Sequence, residues 1–138
     1  MRLWHKDLIP VLPRNQLIGQ WRECCAIAKA VAENGTPNHV LVNKVMYYPA
    51  YEFVLYAHAV CAEMQMRKFK CDFCKFMKYY DTRNMFLATQ VPWSGLFCGW
   101  HNDRYLHQCL HNLQEKYDCG AIPDEEWNLI IKKYPSVA

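Results

Sequence analysis

Leu17, Trp21, Cys24, Ala28 and Val31 recur at intervals of three and four residues, and Ile18 and Cys25 widen the stripe they form. That period marks one buried helical face, so a helix is predicted from about Pro13 to Glu33. Asn34-Gly35 supplies the stop, because glycine adopts the left-handed conformation that ends helices without steric cost. Thr36-Pro37-Asn38 continues as loop. The apolar run from Val40 to Tyr48 is short enough to be helix or strand. Pro49 can open the next helix at its first turn. Phe53, Val54, Ala57, Val60, Cys61 and Met64 define the buried face of that helix to about Lys68. Residues 71–100 lack such a period and are punctuated by Pro92, Gly95 and Gly99, which predicts an irregular segment. Asn102 is suited to cap a third long helix ending at Gly120, with Tyr105, Leu106, Cys109, Leu110, Leu113 and Tyr117 as its stripe. Pro123-Asp124-Glu125-Glu126 reads as the first turn of a shorter helix, its acids near the positive end of the dipole. Trp127, Ile130, Ile131 and Tyr134 give it a packing face. The expected fold is all-α: a single compact domain over residues 1–138, with about three long helices, short helices and an irregular segment.

Composition narrows the class. Of the 138 residues, 52% are hydrophobic and 21% charged, which provides for a packed core and argues against disorder. The formal net charge of +3 permits a nucleic-acid partner only if the basic residues gather on one face. The start, Met1-Arg2-Leu3-Trp4-His5-Lys6, is not followed by the apolar stretch of a signal peptide. No run approaches the roughly eighteen apolar residues of a membrane span. A cytoplasmic protein is expected, in which the eight cysteines are thiols or metal ligands rather than disulfides.

Several residues could carry chemistry. Arg2 is too large to allow removal of the initiator, so Met1 should keep its α-amine as the free terminus. Such an amine titrates near about 7.7–8.0, well below lysine, and suits attack on an electrophilic carbon to form an imine. Glu23 has small neighbours one and two turns away, Gly19, Ala26 and Ala30, which leave room for a ligand or another chain segment. The alternative for Glu23 is a solvated helix surface. Cys71-x-x-Cys74 and Cys98-x-x-His101 have the spacing of two knuckles that could hold a tetrahedral structural zinc. Alternatively those cysteines fill small gaps in the core, and His101 is a polar or DNA-facing residue. Cys24-Cys25 falls on the apolar stripe and reads as core. His39 follows a Pro-Asn turn and could line a site. His107 and His111, one turn apart, form either a metal pair or a solvated face. The His-x-Glu and Pro-Cys-x-x-Cys pattern of zinc nucleobase deaminases is missing.

The run Met1-Arg2-Leu3-Trp4, followed by Gln16-Leu17-Ile18-Gly19-Gln20-Trp21-Arg22-Glu23, resembles the pyrimidine-dimer DNA glycosylase family, the phage endonuclease V type and its bacterial branch. The resemblance continues through Asn38-His39-Val40 and Met66-Arg67, and returns in Gly99-Trp100-His101-Asn102 and Asn112-Leu113-Gln114-Glu115-Lys116. It implies a base-excision repair glycosylase with AP lyase activity that acts alone on damaged double-stranded DNA. In that family the N-terminal amine attacks C1′, a Schiff base forms, and β-elimination cuts the strand. By matching position, Met1 would be the nucleophile and Glu23 the catalytic carboxylate. Arg2 and Arg22 would hold phosphate or sugar, and Lys116 a further DNA contact; His39 and His101 are added as DNA-facing candidates. No cofactor is implied beyond the possible structural zinc, and a monomer is expected.

Three departures stand out. Met1 itself replaces the small residue that phage members expose, Gln16 replaces a histidine, and Lys132-Lys133-Tyr134-Pro135 replaces an aromatic, basic tail. Reaching C1′ also requires a base to be unstacked, for which Trp93 and Trp100 are possible wedges or core residues. Two other readings remain at this level: a zinc-stabilised nucleic-acid-binding module without catalysis, and a glycosylase of the same fold for another modified base.

Overall fold

The computed structural model describes residues 1–80, 87 and 89–137, and it is all-helical there. The predicted helices are present with ends shifted by a few residues at most. Helix α1 spans Arg14–Asn34 and buries Leu17, Trp21, Cys24 and Ala28, together with Ile27 and the polar Gln20. It ends on Gly35, whose φ of 76° lets its N–H reach the Val31 carbonyl at 2.9 Å. Helix α2, Ala50–Met66, follows Pro49 and buries all six apolar positions of its predicted face, plus Tyr56, Glu52 and Glu63. A single turn, α3 (Cys74–Met77), packs Phe76 into the core. Helix α4 spans Asp103–Asp118, and Asn102 caps it by accepting from the Tyr105 N–H at 3.0 Å. Helix α5, Asp124–Lys133, carries three acids in its first turn and two lysines in its last, so both ends complement the dipole.

The run from Val40 to Tyr48 is neither regular helix nor strand. It is a turn followed by a 3-10 helix, Asn43–Tyr47. Within the expected irregular segment lie α3 and a short 3-10 helix, Trp93–Gly95; residues 81–86 and 88 of that segment lie outside the described residues. The N-terminal arm was not anticipated. Residues 1–5 run extended into a 3-10 helix, Lys6–Val11, and Leu3, Trp4, Leu8, Ile9 and Leu12 are all buried.

The core lies where α1 crosses α2, with the arm on one side and α3 on the other. Trp21 meets Phe73 and Phe76, and Phe53 meets Phe76 edge-on at 5.3 Å. Arg67, just past α2, ties the arm down. Its guanidinium donates to the carbonyls of Leu12 at 2.7 Å, Pro10 at 3.0 Å and Ile9 at 3.4 Å, and to Glu63 at 3.0 Å. Phe97 is held at φ 52°, a strained conformation for a bulky residue. Its N–H donates to buried Glu52 at 2.9 Å, and its carbonyl accepts from Trp100 and His101, each at 2.9 Å. No described helix is long and apolar enough to cross a membrane.

Candidate active site

Gln20 is a polar residue on the apolar stripe of α1, and it is buried. A buried amide must find partners, and all of Gln20's are on or beside the N-terminal arm. Its Oε1 accepts from the Trp4 N–H at 2.7 Å and from the Tyr56 hydroxyl at 3.0 Å. Its Nε2 donates to the Arg2 carbonyl at 2.9 Å and to Glu23 Oε2 at 3.3 Å. Tyr56 donates to the Trp4 carbonyl at 2.6 Å, and Tyr105 of α4 donates to the Leu3 carbonyl at 2.6 Å. The first residues are thus threaded between α1, α2 and α4 in one register. In that register the Arg2 N–H donates to Glu23 Oε2 at 3.3 Å. The Met1 amine is one residue from that amide, a span of about 3.8 Å at most. Met1 is exposed and Glu23 half-buried, so the amine and the carboxylate share an edge of the protein open to a ligand.

Arg2 and Arg22 lie on different surfaces of this edge. The Arg2 guanidinium packs 5.5 Å from the Trp4 ring centroid and neighbours Tyr105 and Cys109. Burial pushes the Tyr105 hydroxyl far up from its ordinary value, which keeps it a neutral donor. Arg22 is exposed and lines a cavity of about 800 Å³ with Trp21, Lys70 and Lys75. Beside it, a smaller hollow of about 340 Å³ adds Lys29 and Lys78. Five basic residues therefore gather where α1 meets residues 70–78, with Asp72 as the one acid lining these hollows among the described residues, so part of the positive charge of a weakly basic chain is concentrated there.

His101 does not reach this surface. It is buried among Tyr56, Phe97, Trp100 and Tyr105, and stacks on His5 at 5.2 Å. Its Nδ1 accepts from the Lys6 N–H at 3.0 Å, which puts the proton on Nε2. Desolvation, helped by His5 and Lys6, holds its imidazole well below the usual histidine range. The expectation of a DNA-facing His101 is corrected accordingly: its ring is a neutral part of the core. Trp100 is buried with it, and of the two predicted wedges only Trp93 is exposed.

The zinc expectation is corrected as well. Cys71, Cys74, Cys98 and His101 are not brought together, and among the described residues no group of three or more His, Cys, Asp or Glu side chains is placed to hold a metal. Cys71 turns instead to Cys61 of α2, sulfur to sulfur at 2.7 Å. Burial and that contact push the Cys71 thiol upward, away from the thiolate a metal requires. Cys74 and Cys98 are exposed.

His39 is half-buried and builds its own turn, its Nδ1 accepting from the Leu41 N–H at 3.3 Å. Lys116 is half-buried in the last turn of α4. His107 and His111 are exposed on that helix. The residues that sequence reasoning missed are Gln20, Tyr56 and Tyr105. Gln20 carried a signal: it sits between Leu17 and Cys24 on an otherwise apolar face, and such a residue needs a partner.

No curated protein and no solved structure matches the chain. A family model described as pyrimidine dimer DNA glycosylase matches residues 1–76. That stretch contains the threaded arm, Gln20, Arg22, Glu23 and the whole of α2, and it is more than half of the 138 residues. The chain belongs to the pyrimidine dimer DNA glycosylase family.

Proposed function

We propose that this protein excises a pyrimidine-dimer base from double-stranded DNA and then cuts the strand, with the Met1 amine as nucleophile and Glu23 as the catalytic carboxylate. The observation that carries the reading is the hydrogen bond from the Arg2 N–H to Glu23 at 3.3 Å, in a register that buried Gln20 maintains. Two groups twenty-one residues apart in sequence are held together at an accessible edge. In the proposed reaction, the amine lone pair attacks C1′ while the N-glycosidic bond breaks, and the base leaves with the electron pair. Ring opening gives a protonated imine between the amine and C1′. A proton then leaves C2′, the C3′–O bond breaks, and the phosphate departs. Water hydrolyses the imine and restores the amine.

Glu23 supports each stage by stabilising the oxocarbenium-like state and the imine cation, and by moving protons during ring opening. Arg2 and Arg22 hold phosphates on the two sides of the edge, a role that guanidinium geometry suits. His39 and Lys116 extend the contact. The enzyme acts as a monomer, needs no cofactor and works where the nucleoid is. Residues 1–138 form one glycosylase and AP-lyase domain.

Borohydride trapping tests the reading. Untagged protein is mixed with duplexes carrying a cyclobutane dimer or an abasic site and then reduced, and the adduct is mapped by mass spectrometry. An adduct on Met1 with the dimer duplex is expected. An adduct with the abasic duplex alone would keep the lyase and remove the dimer as substrate. No adduct with either, from folded protein, would sink the mechanism.

A further inference from the structure

Exposed apolar side chains are scattered over the described surface, at Met66 and Leu129 for example, but Val40, Leu41, Met46 and Tyr47 bring four of them into one short segment outside the proposed chemistry. Val40 is 82% exposed, Tyr47 79% and Leu41 47%, whereas Trp100 is 5% exposed. The segment that carries them is firmly mounted. Val42 and Val45 are buried beneath it, the His39 N–H donates to Asn43 at 2.9 Å, and the Tyr48 hydroxyl donates to the Cys98 carbonyl at 2.6 Å. In the 3-10 helix Asn43–Tyr47, side chains three apart eclipse, so Lys44 and Tyr47 share a face. Between this ridge and α4 lies a cavity of about 370 Å³, lined by Val40, Leu41, Lys44, Trp100, Arg104 and Tyr105 among others. Two cations line it, and among the described residues no Asp or Glu does. Tyr105, which lines the cavity, also donates to the Leu3 carbonyl at 2.6 Å and so links the cavity wall to the N-terminal arm.

We propose that this ridge is a wedge for duplex DNA: Val40, Leu41 and Tyr47 enter the stack beside the lesion, and Lys44 and Arg104 hold the phosphates that flank the opened step. The inference rests on the reading of the chain as an enzyme of damaged duplex DNA. Apolar residues that protrude from a rigid turn, with cations at their base, are what kinking a duplex requires. Unstacking one step costs a few kcal/mol, which inserted apolar surface offsets. The neutral and cationic lining favours a polyanion over a basic or purely apolar partner. Trp100, one of the aromatic candidates from sequence, lines the cavity but is itself buried.

The test uses the full chain and a duplex with an uncleavable tetrahydrofuran abasic analogue, with 2-aminopurine as the adjacent base. Binding is read by anisotropy and unstacking by 2-aminopurine fluorescence, so neither readout depends on the Schiff-base chemistry. Wild type should raise the fluorescence. Tyr47→Ser combined with Val40→Ser should abolish the rise and weaken binding about tenfold, the scale of one lost base contact. On the same sequence with a pre-melted bubble, the loss should shrink to about twofold, because the step is already open. Tyr47→Phe should behave as wild type, since the ring and not the hydroxyl fills the gap. No fluorescence rise with wild type, or an equal loss on duplex and bubble, would overturn the wedge. So would a double variant that binds like wild type. A Met1 adduct that forms while the wedge test fails would leave the proposed chemistry standing, and the reverse outcome would leave the wedge standing.

Discussion

At Glu23 the division of labour falls between two oxygens. Oε2 takes the Arg2 N–H and the Gln20 amide, each at 3.3 Å, while Oε1 makes no hydrogen bond among the described residues. One oxygen is thus used for position; in the proposed mechanism the other serves the substrate. Glu23→Gln keeps the shape and the ability to accept from Arg2, and it removes the charge. DNA binding should therefore change little, while the single-turnover cleavage rate should fall by about 100-fold or more, the usual contribution of a positioned proton carrier. Full cleavage by that variant would take Glu23 out of the mechanism. The pairing of Glu23 with the chain start was suggested by the motif Met1-Arg2-Leu3-Trp4 and Trp21-Arg22-Glu23. Its means, a buried glutamine that spends both ends of its amide on the arm, was not. A polar residue on an apolar stripe announces only that a partner exists, and the partner depends on which segment arrives there.

At the scale of elements, the arm and α2 hold each other through Arg67. The half-buried guanidinium donates to three arm carbonyls and to Glu63, whose carboxylate is largely buried. Arg67→Ala leaves those carbonyls and that carboxylate without their donor. The expected cost is about 2–4 kcal/mol, read as a lower urea midpoint with an unchanged slope. Arg67→Lys should recover only part of it, because a single ammonium cannot reproduce the planar fork. A midpoint that does not move in the alanine variant would contradict the assignment. The helices were predictable because their buried faces repeat within a few residues. The arm was not, because Leu3, Trp4, Leu8, Ile9 and Leu12 have no sustained period and Pro10 interrupts them. Its short 3-10 helix is held by packing against α2 and α5, which bury its apolar side chains.

The whole molecule carries a pH dependence at the seam between the arm and the turn before α4. His5 and His101 stack there, and both are depressed from the ordinary histidine value, chiefly by desolvation. Lys6 lowers both, while Asp7 and Asp103 partly raise His5. A depressed histidine binds fewer protons folded than unfolded below about pH 6.5. Stability is therefore fully present above that pH and falls as pH drops through it. The slope is at most about 1.4 kcal/mol per pH unit for each ring, and it ends once the folded rings protonate. Melting temperatures should accordingly drop between pH 7.5 and pH 5, and His101→Gln should flatten the slope. A flat wild-type profile over that window would place the rings in solvent.

The sequence by itself determined what is local: where the helices run, which face of each is apolar, where Gly35 and Asn102 end and begin them, and which family the start of the chain belongs to. Each of these follows from residues within a turn or two of one another, or from a contiguous motif. Only the tertiary structure decided that Gln20 clamps the arm, that His101 lies inside and that Cys71 faces Cys61 rather than Cys74. It also decided that Val40 and Tyr47 protrude where Trp100 does not. Those outcomes depend on which distant segment covers a side chain, and periodicity along one helix carries no information about its neighbour across the core.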